Sequence, residues 1–232
     1  NTAGQPENVE AALRQTLNYR AEATVVVSGA PPASLIETCI ENGQRVILIN
    51  RDDAITGPEF VLVENENAAR EACLLLHRAG CRNLAVVSST AGTSSIIARE
   101  QSFVAAAAEL GLTAQVSRAG PTGYATGAEG ARQLLGASNR PDGVFCVTDL
   151  LALGFMDVAR QEFRLAIPEE LCVVGFDDIP EASWLAYNLT TFRQPIGAIA
   201  DHIASIIEKD EPEPAPLKRL PTQVAWRKSV RP

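Results

Sequence analysis

GVFCVTDLLALGFMDVARQEFRLAIPEELCVVGFDD, residues 143–178, is the stretch that decides the fold. It begins with an apolar run, GVFCVT, continues through a helical pattern near residues 150–162, and ends with a second apolar run, LCVVGF. Both runs are apolar throughout instead of alternating, which is the pattern of strands buried on both faces of a parallel sheet. Residues 143–178 therefore predict a strand, a helix and a second strand parallel to the first.

The same alternation runs along the rest of the chain. Helical patterns occupy PENVEAALRQTLNY, the residues after Pro32, and the stretches 67–79, 97–110 and 125–136. Apolar strands follow them as ATVVVS, RVILIN and NLAVVSS. The pattern predicts an α/β protein with parallel sheets flanked by helices. A length of 232 residues allows either one large domain or two lobes of about 100 residues each.

Composition argues against nucleic acid and membrane partners for this chain alone. The formal net charge is −8, and no stretch gathers Lys and Arg on one face, whereas phosphate binding needs clustered positive charge. No apolar run approaches the ~20 residues of a membrane span. The first residues, NTAGQPENVEAAL, have neither the basic flank nor the apolar stretch of a signal peptide. We therefore expect a cytoplasmic protein.

Metal, disulfide and cofactor sites are not expected. The chain has five widely spaced cysteines and no CxxC pair, so they are interpreted as small buried residues of a reducing compartment: Cys39, Cys73, Cys81, Cys146 and Cys172. His77 and His202 lie in helical patterns without a second ligand at metal-binding spacing. The sequence therefore predicts neither a metal nor a cofactor.

Enzyme interpretations fail on particular residues. The chain has no GxGxxG and no GxxxxGK[ST] motif, and GTSS at 92–95 lacks the lysine that would reach a phosphate. Lysine is absent before Lys209, which weakens a phosphoryl-aspartate or Schiff-base role for the Asp177 and Asp178 pair. Successive side chains on a strand also diverge, so these two carboxylates do not suit acid/base catalysis. We predict that the chain is not an enzyme.

Polar residues follow almost every predicted strand. They are Ser28, Gly29, Asn50, Arg51, Ser88, Ser89, Thr148, Asp149, Asp177 and Asp178. Ligands of open parallel sheets bind beyond the carboxyl ends of the strands, and this set of donors and acceptors suits a small ligand rich in hydroxyls. The alternative is that these residues end strands in the ordinary way, with Asp149 and Asp178 as N-caps of the following helices.

Several segments, in this order and spacing, closely resemble the effector-binding domain of LacI/GalR-family bacterial transcriptional regulators. They are GVFCVTDLLALGFMDVARQ, IPEELCVVGFDDIPEASW, NLTTFRQPIGAIA and LPTQVAWRKSVRP. Upstream, VENENAAREACLLLHRAGCRNLAVVSS, with Arg99 and Phe103 after it, matches the same family. The resemblance covers essentially the whole chain.

The resemblance implies a two-lobed fold like that of a periplasmic binding protein, with three crossings between the lobes. On this mapping residues 1–63 and 192–215 form the N-terminal lobe, and residues 64–191 and 216–232 form the C-terminal lobe. The family binds a sugar or similar small metabolite between the lobes and so changes its affinity for operator DNA. Such control requires differential affinity for two lobe arrangements.

Site residues carry over from the family one by one. Asp177 matches the carboxylate that accepts hydrogen bonds from a sugar or a purine-type ligand, and Arg99 matches the arginine facing that ligand. Ser95 stands four residues before Arg99, where a polar contact is usual, and Asn50 and Thr148 match strand-end positions that often contact the effector. The alternative for Arg99 and Asp177 is a direct salt bridge that closes an empty cleft.

Trp184 and Leu185 resemble the part of the family that contributes to dimerisation, so the resemblance implies a homodimer suited to a palindromic operator. A buried core role for Trp184 is the alternative. Tyr124 lies near the place where family members present an aromatic wall to the ligand.

The chain also departs from the family. The DNA-reading helix-turn-helix, the hinge helix and the first strand-helix unit of the N-terminal lobe have no counterpart, so DNA contact is expected only through a domain outside this chain. Ser102 replaces a common glycine, and Tyr187 and Asn188 stand where a proline usually precedes LTT. The rival function from another class is a sugar-binding protein of a transport system, which an upstream secretory leader would favour.

Overall fold

The structure, a computed structural model, describes residues 6–19, 21–27, 31–51, 56–209 and 219–232. Helices and strands alternate along most of it, as predicted, and it adds strands at 59–63 and 114–117 and a helix at 196–207 that the sequence pattern had not indicated. The helices are α1 Pro6–Asn18, α2 Ala33–Glu41, α3 Asn65–Arg78, α4 Ser94–Glu109, α5 Tyr124–Gly136, α6 Asp149–Gln161 and α7 Ile196–Ile207. The strands are β1 Ala23–Val26, β2 Arg45–Ile49, β3 Glu59–Val63, β4 Leu84–Val87, β5 Ala114–Ser117, β6 Gly143–Cys146, β7 Cys172–Asp177, β8 Thr190–Arg193, β9 Arg219–Leu220 and β10 Gln223–Ala225.

The described residues form two compact units. The first contains the described residues within 1–63, 93–95 and 195–221, and the second contains those within 64–92, 96–194 and 222–232. In the part of the chain that the structure describes, no helix combines the length and the apolar character needed to cross a membrane.

The first unit is built on a parallel sheet with the strand order β1-β2-β3-β9. Its core joins this sheet to α1 and α2, because each helix turns an apolar stripe inwards. Leu13 of α1 and Leu35, Ile36 and Cys39 of α2 pack with Val26, Val46 and Leu48 of the first two strands. These contacts explain why the period of the apolar residues was enough to predict both helices.

The second unit is built on a six-stranded sheet with the order β10-β8-β7-β6-β4-β5. All neighbours are parallel except β10, which pairs antiparallel with β8. The predicted unit at residues 143–178 is confirmed as β6, α6 and β7, with Gly143 beside Cys172. Leu84 to Val87 are fully buried, as the continuous apolar run predicted.

The unit boundaries differ from the predicted lobes in three places. Residues 93–95 were expected in the second lobe but are grouped with the first unit. Residues 219–221 were expected in the second lobe, but β9 extends the sheet of the first unit by pairing Arg219 with Leu62. Residues 192–194 were expected in the first lobe, but β8 pairs with β7 in the second unit. In these last two cases, backbone pairing between strands determines the unit to which the segment belongs. The pattern of side chains along the sequence does not reveal which strands pair. The number of crossings stays a prediction.

Two glycines bring α5 and α6 into backbone contact. A Cβ atom on Gly154 would overlap the carbonyl oxygen of Tyr124, and one on Gly127 would overlap the carbonyl oxygen of Leu151. Neither obstacle is a flexible side chain, so the helices cannot accommodate even a methyl group without moving apart. This close approach places the start of α5 against the middle of α6.

We expect Gly154→Ala to lower the free energy of unfolding by about 1–3 kcal/mol, because overpacking forces the backbone to shift. Urea titration of the purified protein measures the change. Gly136→Ala is the matched control, because a Cβ at Gly136, the last residue of α5, meets no atom within 4 Å. A Gly154→Ala protein as stable as the control would contradict the close packing.

Candidate ligand site at the carboxyl ends of the strands

Arg99 is a buried cation with a fixed orientation. It lies on α4, its Nε donates to Asn65 Oδ1 at 2.8 Å, and its Nη1 donates to the Val147 carbonyl at 2.8 Å. The guanidinium carbon stands 3.4 Å from the centre of the Phe176 ring, in a cation–π contact. Burial lowers the pKa of Arg99 to about 10, against the opposing charges of Asp177 and Asp149. The side chain therefore stays protonated at neutral pH.

Asp177 faces this cation from the end of β7. Its Oδ1 is 3.9 Å from Arg99 Nη1 and accepts a hydrogen bond from Gln194 Nε2 at 2.7 Å. The side chain is 25% exposed, so solvent reaches the carboxylate. Burial raises the pKa of Asp177, while Arg99 and Gln194 oppose the rise. The two groups thus form an ion pair, at a separation too long for a direct hydrogen bond.

The backbone at Asp177 is strained. Its φ is 129° and that of Asp178 is 60°, values that residues with a side chain seldom adopt. Asp178 is held there by Arg193 Nε at 2.6 Å and Arg227 Nη2 at 2.6 Å. Burial works to raise the pKa of Asp178, but the hydrogen bonds from Arg227 and Arg193 lower it overall. Asp178 thus joins the ends of β7 and β8 to the segment after β10.

Asp149 holds the loop that follows β7, and sequence reasoning missed this role. Its carboxylate is fully buried and accepts hydrogen bonds from Thr191 Oγ1 at 2.6 Å and from the Ile179 amide at 2.9 Å. A Cβ on Gly175 would overlap Asp149 Oδ1. Burial raises the pKa of Asp149 to about 6, against the hydrogen bonds from Thr191 and Ile179. A glycine inside the strand VVGFD was the available signal, since such glycines mark close approaches.

The N-cap interpretations of Asp149 and Asp178 were both wrong. Thr148 caps α6, because its Oγ1 accepts the Leu151 amide at 3.5 Å and Asp149 already lies inside the helix. Asp178 precedes Ile179, the residue that flanks a short 3₁₀ helix at Pro180–Ser183. The strand-end acids instead bridge separate segments of the second unit.

The predicted site residues fall in both units. Arg99, Asp177 and Thr148 lie in the second unit, and the first two are brought together. Thr148 follows Val147, whose carbonyl binds Arg99. Asn50 and Ser95 belong to the first unit, so their part in a shared site stays a prediction. Ser28 and Gly29 lie outside the described residues.

Asn50 directly follows β2 with a φ of 55°, and its Oδ1 accepts the Val63 amide at 3.1 Å. That bond ties the carboxyl ends of β2 and β3 together. Ser95 is partly exposed in the first turn of α4, with its Oγ 3.4 Å from Thr93 Oγ1.

Trp184 and Leu185 are 55% and 93% exposed, so the alternative core role of Trp184 was wrong. Tyr187, two residues after Leu185, donates to Asp157 Oδ2 at 2.9 Å, and Tyr124 of α5 donates to the same oxygen at 2.7 Å.

Asn188 has a φ of 45°, a conformation that proline cannot adopt. A proline at position 188 would therefore not fit this loop.

All five cysteines are free thiols in buried positions. Across the described ranges, no cluster of three or more His, Cys, Asp or Glu side chains could hold a metal ion.

Comparison with known proteins gives consistent matches. A family model described as a periplasmic binding protein-like domain matches residues 74–230. The HTH-type transcriptional regulator GalS of Salmonella typhimurium is 29% identical over 202 residues, which are 86% of this chain and 59% of GalS. The chain therefore spans less than two thirds of that relative's length.

Solved structures show the same fold. A LacI transcriptional regulator from a Rhodococcus species superposes with a TM-score of 0.87 at 23% identity, over 96% of this chain and 83% of that one. A LacI family transcriptional regulator from Enterococcus faecium with bound ribose gives 0.84 at 21% identity, over 96% and 84%.

The raised pKa of Asp149 predicts a pH dependence of stability. The group titrates at about 6 when folded and at 3.8 ordinarily, so the folded state keeps the proton to higher pH. The contribution of Asp149 to stability therefore falls as pH rises from about 4 to about 6 and is level outside that window. Relative to the non-titrating Asp149→Asn protein, the wild type should lose unfolding free energy across this interval.

Urea titrations at several pH values measure that difference. Asp201→Asn controls for the loss of one negative charge, because Asp201 is an exposed residue of α7. A difference between wild type and Asp149→Asn that stays constant, or changes in the other direction, would show that the carboxylate is not destabilised by burial.

Proposed function

Because the chain belongs to the family of periplasmic binding protein-like domains, we propose that it is the effector-sensing domain of a LacI-type bacterial transcriptional regulator. The relatives named above are transcriptional regulators, and none is named as an enzyme or a transport protein. The observation that carries the proposal is the pairing of buried Arg99 with partly exposed Asp177 at the strand ends.

The effector is a sugar or a similarly hydroxylated metabolite. Arg99 offers donors and Asp177 offers acceptors across a gap of 3.9 Å, so one ligand hydroxyl can bond both groups. Each charge-assisted hydrogen bond contributes about 1.5–3 kcal/mol. The bonds that Arg99 makes to Asn65 and Val147 hold its donors in place before the ligand arrives. Such preorganisation lowers the entropic cost of binding. The bound ribose of the Enterococcus faecium protein supports this ligand class.

Regulation follows if the effector binds one arrangement of the two units more tightly than another. Contact with operator DNA would come from a helix-turn-helix domain outside this chain, since the net charge of −8 does not favour phosphate binding here. The protein acts in the cytoplasm as a homodimer, with Trp184 and Leu185 in the subunit interface. Their exposure of 55% and 93% leaves them available for a partner surface.

A thermal-shift screen over sugars, sugar phosphates and nucleobases, beginning with D-ribose, identifies the effector. A ligand at about 100 times its Kd adds about 2.7 kcal/mol to stability and raises the melting temperature. Calorimetry then gives its Kd for the wild type and the variants. We expect Arg99→Ala and Asp177→Asn to weaken binding at least about tenfold, which is the loss of one charge-assisted bond.

Arg132→Ala is the control, because Arg132 is an exposed residue of α5 that pairs with Glu162 at 2.6 Å. Asp177→Asn preserves the size of the side chain, so its result stands even if the buried Arg99→Ala protein is unstable. A hit that both variants bind as tightly as the wild type would remove Arg99 and Asp177 from the site.

The proposed dimer predicts a contrast between two tryptophans. Trp184 and Trp226 are exposed to similar extents, 55% and 57%, and both lie in the second unit. We expect Trp184→Ala combined with Leu185→Glu to shift sedimentation towards the monomer, whereas Trp226→Ala leaves the dimer intact. Equal sedimentation of the two variants would place the interface elsewhere.

A further inference from the structure

Cys81 and Cys172 meet at the edge of the second unit that lies opposite the candidate ligand site. Cys172 is the first residue of β7, and Cys81 stands three residues before β4, so both lie at the amino ends of strands. Each side chain is fully buried. Cys81 Sγ donates to the Asp142 carbonyl at 3.3 Å, and Cys172 Sγ donates to the Pro168 carbonyl at 3.6 Å.

Gly143 makes this meeting possible. It lies on β6, paired with Cys172 on one side and with Leu84 on the other. A Cβ on Gly143 would lie 2.8 Å from Cys81 Cβ and 2.9 Å from Cys81 Sγ. The Cys81 side chain therefore occupies the space that any larger residue at 143 would fill, directly beside the start of β7.

Arg231 covers the pair and supplies positive charge to it. Its Nη2 is 3.3 Å from Cys81 Sγ, and its backbone amide is 3.4 Å from Cys172 Sγ. Its other guanidinium donors bind the carbonyls of Ala79, Pro168 and Glu169 at 2.8–3.0 Å. These bonds fix the guanidinium over the sulfurs, where a cation favours the thiolate.

The two thiols differ from the remaining cysteines in acidity. The neighbouring Cys81 thiol lowers the pKa of Cys172, with burial opposing and the Arg231 amide assisting. The same neighbour effect, together with burial, raises the pKa of Cys81. Burial raises the pKa of Cys73 to about 11 and that of Cys146 well above its ordinary value. Cys172 is thus the more acidic, and so the more nucleophilic, member of the pair.

We propose that Cys81 and Cys172 form an oxidation site at which a hydroperoxide converts the dithiol to an intrachain disulfide. The Cys172 thiolate attacks the peroxide O–O bond, which breaks to leave a sulfenic acid on Cys172 and, after protonation, one molecule of water. The Cys81 sulfur then attacks that sulfenic sulfur, loses its proton and expels hydroxide, which leaves as a second water. Two thiols are oxidised by two electrons in total, and one hydrogen peroxide is reduced to two waters.

The contacts of Arg231 control the access of an oxidant to the two thiols. Because the pair is buried, the oxidant reaches it only when the segment around Arg231 moves aside. The disulfide needs an S–S distance of about 2.0 Å, and the contacts of both sulfurs with Arg231, at 3.3 and 3.4 Å, keep the two thiols beside each other. This proposal does not depend on which effector the other edge of the sheet binds. Disulfides of this kind in reducing compartments are typically transient and redox-sensing.

The experiment treats the folded full chain with hydrogen peroxide, denatures it in the presence of an alkylating agent, and counts free thiols by mass spectrometry. We expect the wild type to lose two of its five thiols and to recover both with dithiothreitol. Peptide mapping without reduction should show the Cys81–Cys172 linkage. Cys73→Ser, which removes a buried cysteine of α3, should still lose two thiols.

Cys172→Ser should keep all of its remaining thiols free of disulfide under the same treatment. The wild-type mapping needs no variant, so it decides the matter even if Cys172→Ser is unstable. The proposal is overturned if all five thiols stay free after treatment or if the linkage joins other cysteines. It is also overturned if the oxidation is irreversible and forms no disulfide. A wild type that reacts only in denaturing urea would overturn it as well.

Discussion

The buried carboxylate of Asp149 is the constraint on which the second unit depends. It sits at the start of α6, accepts hydrogen bonds from β8 through Thr191 and from the loop after β7 through Ile179, and fills the space left by Gly175. Three elements are therefore fixed by one acceptor group. Its raised pKa shows that burial disfavours the charge, and the structure tolerates that cost because the bonds hold the loop carrying Asp177 and Asp178.

The strained backbone at Asp177 and Asp178 is held in place by neighbouring side chains. Asp177 and Asp178 adopt positive φ angles, which raise the energy of the backbone unless neighbouring groups hold it in place. Arg193 and Arg227 hold Asp178, and Gln194 holds Asp177. The result places one carboxylate opposite the fixed guanidinium of Arg99 and commits the other to structure. Two adjacent aspartates of identical chemistry thus acquire different roles from their partners alone.

The sequence predicted most of the helices and strands, because continuous apolar runs and helical periodicity directly report burial in an α/β unit, but it did not indicate β3, β5 or α7. It also singled out Arg99 and Asp177, which the structure brings together, although their binding role awaits experiment. It failed where a residue's role depends on tertiary contacts. Asp149 resembles a cap from its position before an apolar stretch, and only the fold reveals Thr191 and Ile179 beside it. The pairing of Arg219 with Leu62 likewise joins residues far apart in sequence, which no local pattern encodes.

Residues 219–225 provide a strand to each unit, with β9 completing the sheet of the first and β10 the edge of the second, and only two residues lie between them. The first unit's sheet thus contains a contact between Leu62 and Arg219 that closes a very long loop, and closing such a loop costs entropy before the contact can stabilise the sheet. On the ribosome, β1, β2 and β3 emerge long before their last partner is translated. The sheet of the first unit therefore lacks its fourth strand until most of the second unit has been synthesised, and residues 219–225 then complete both sheets.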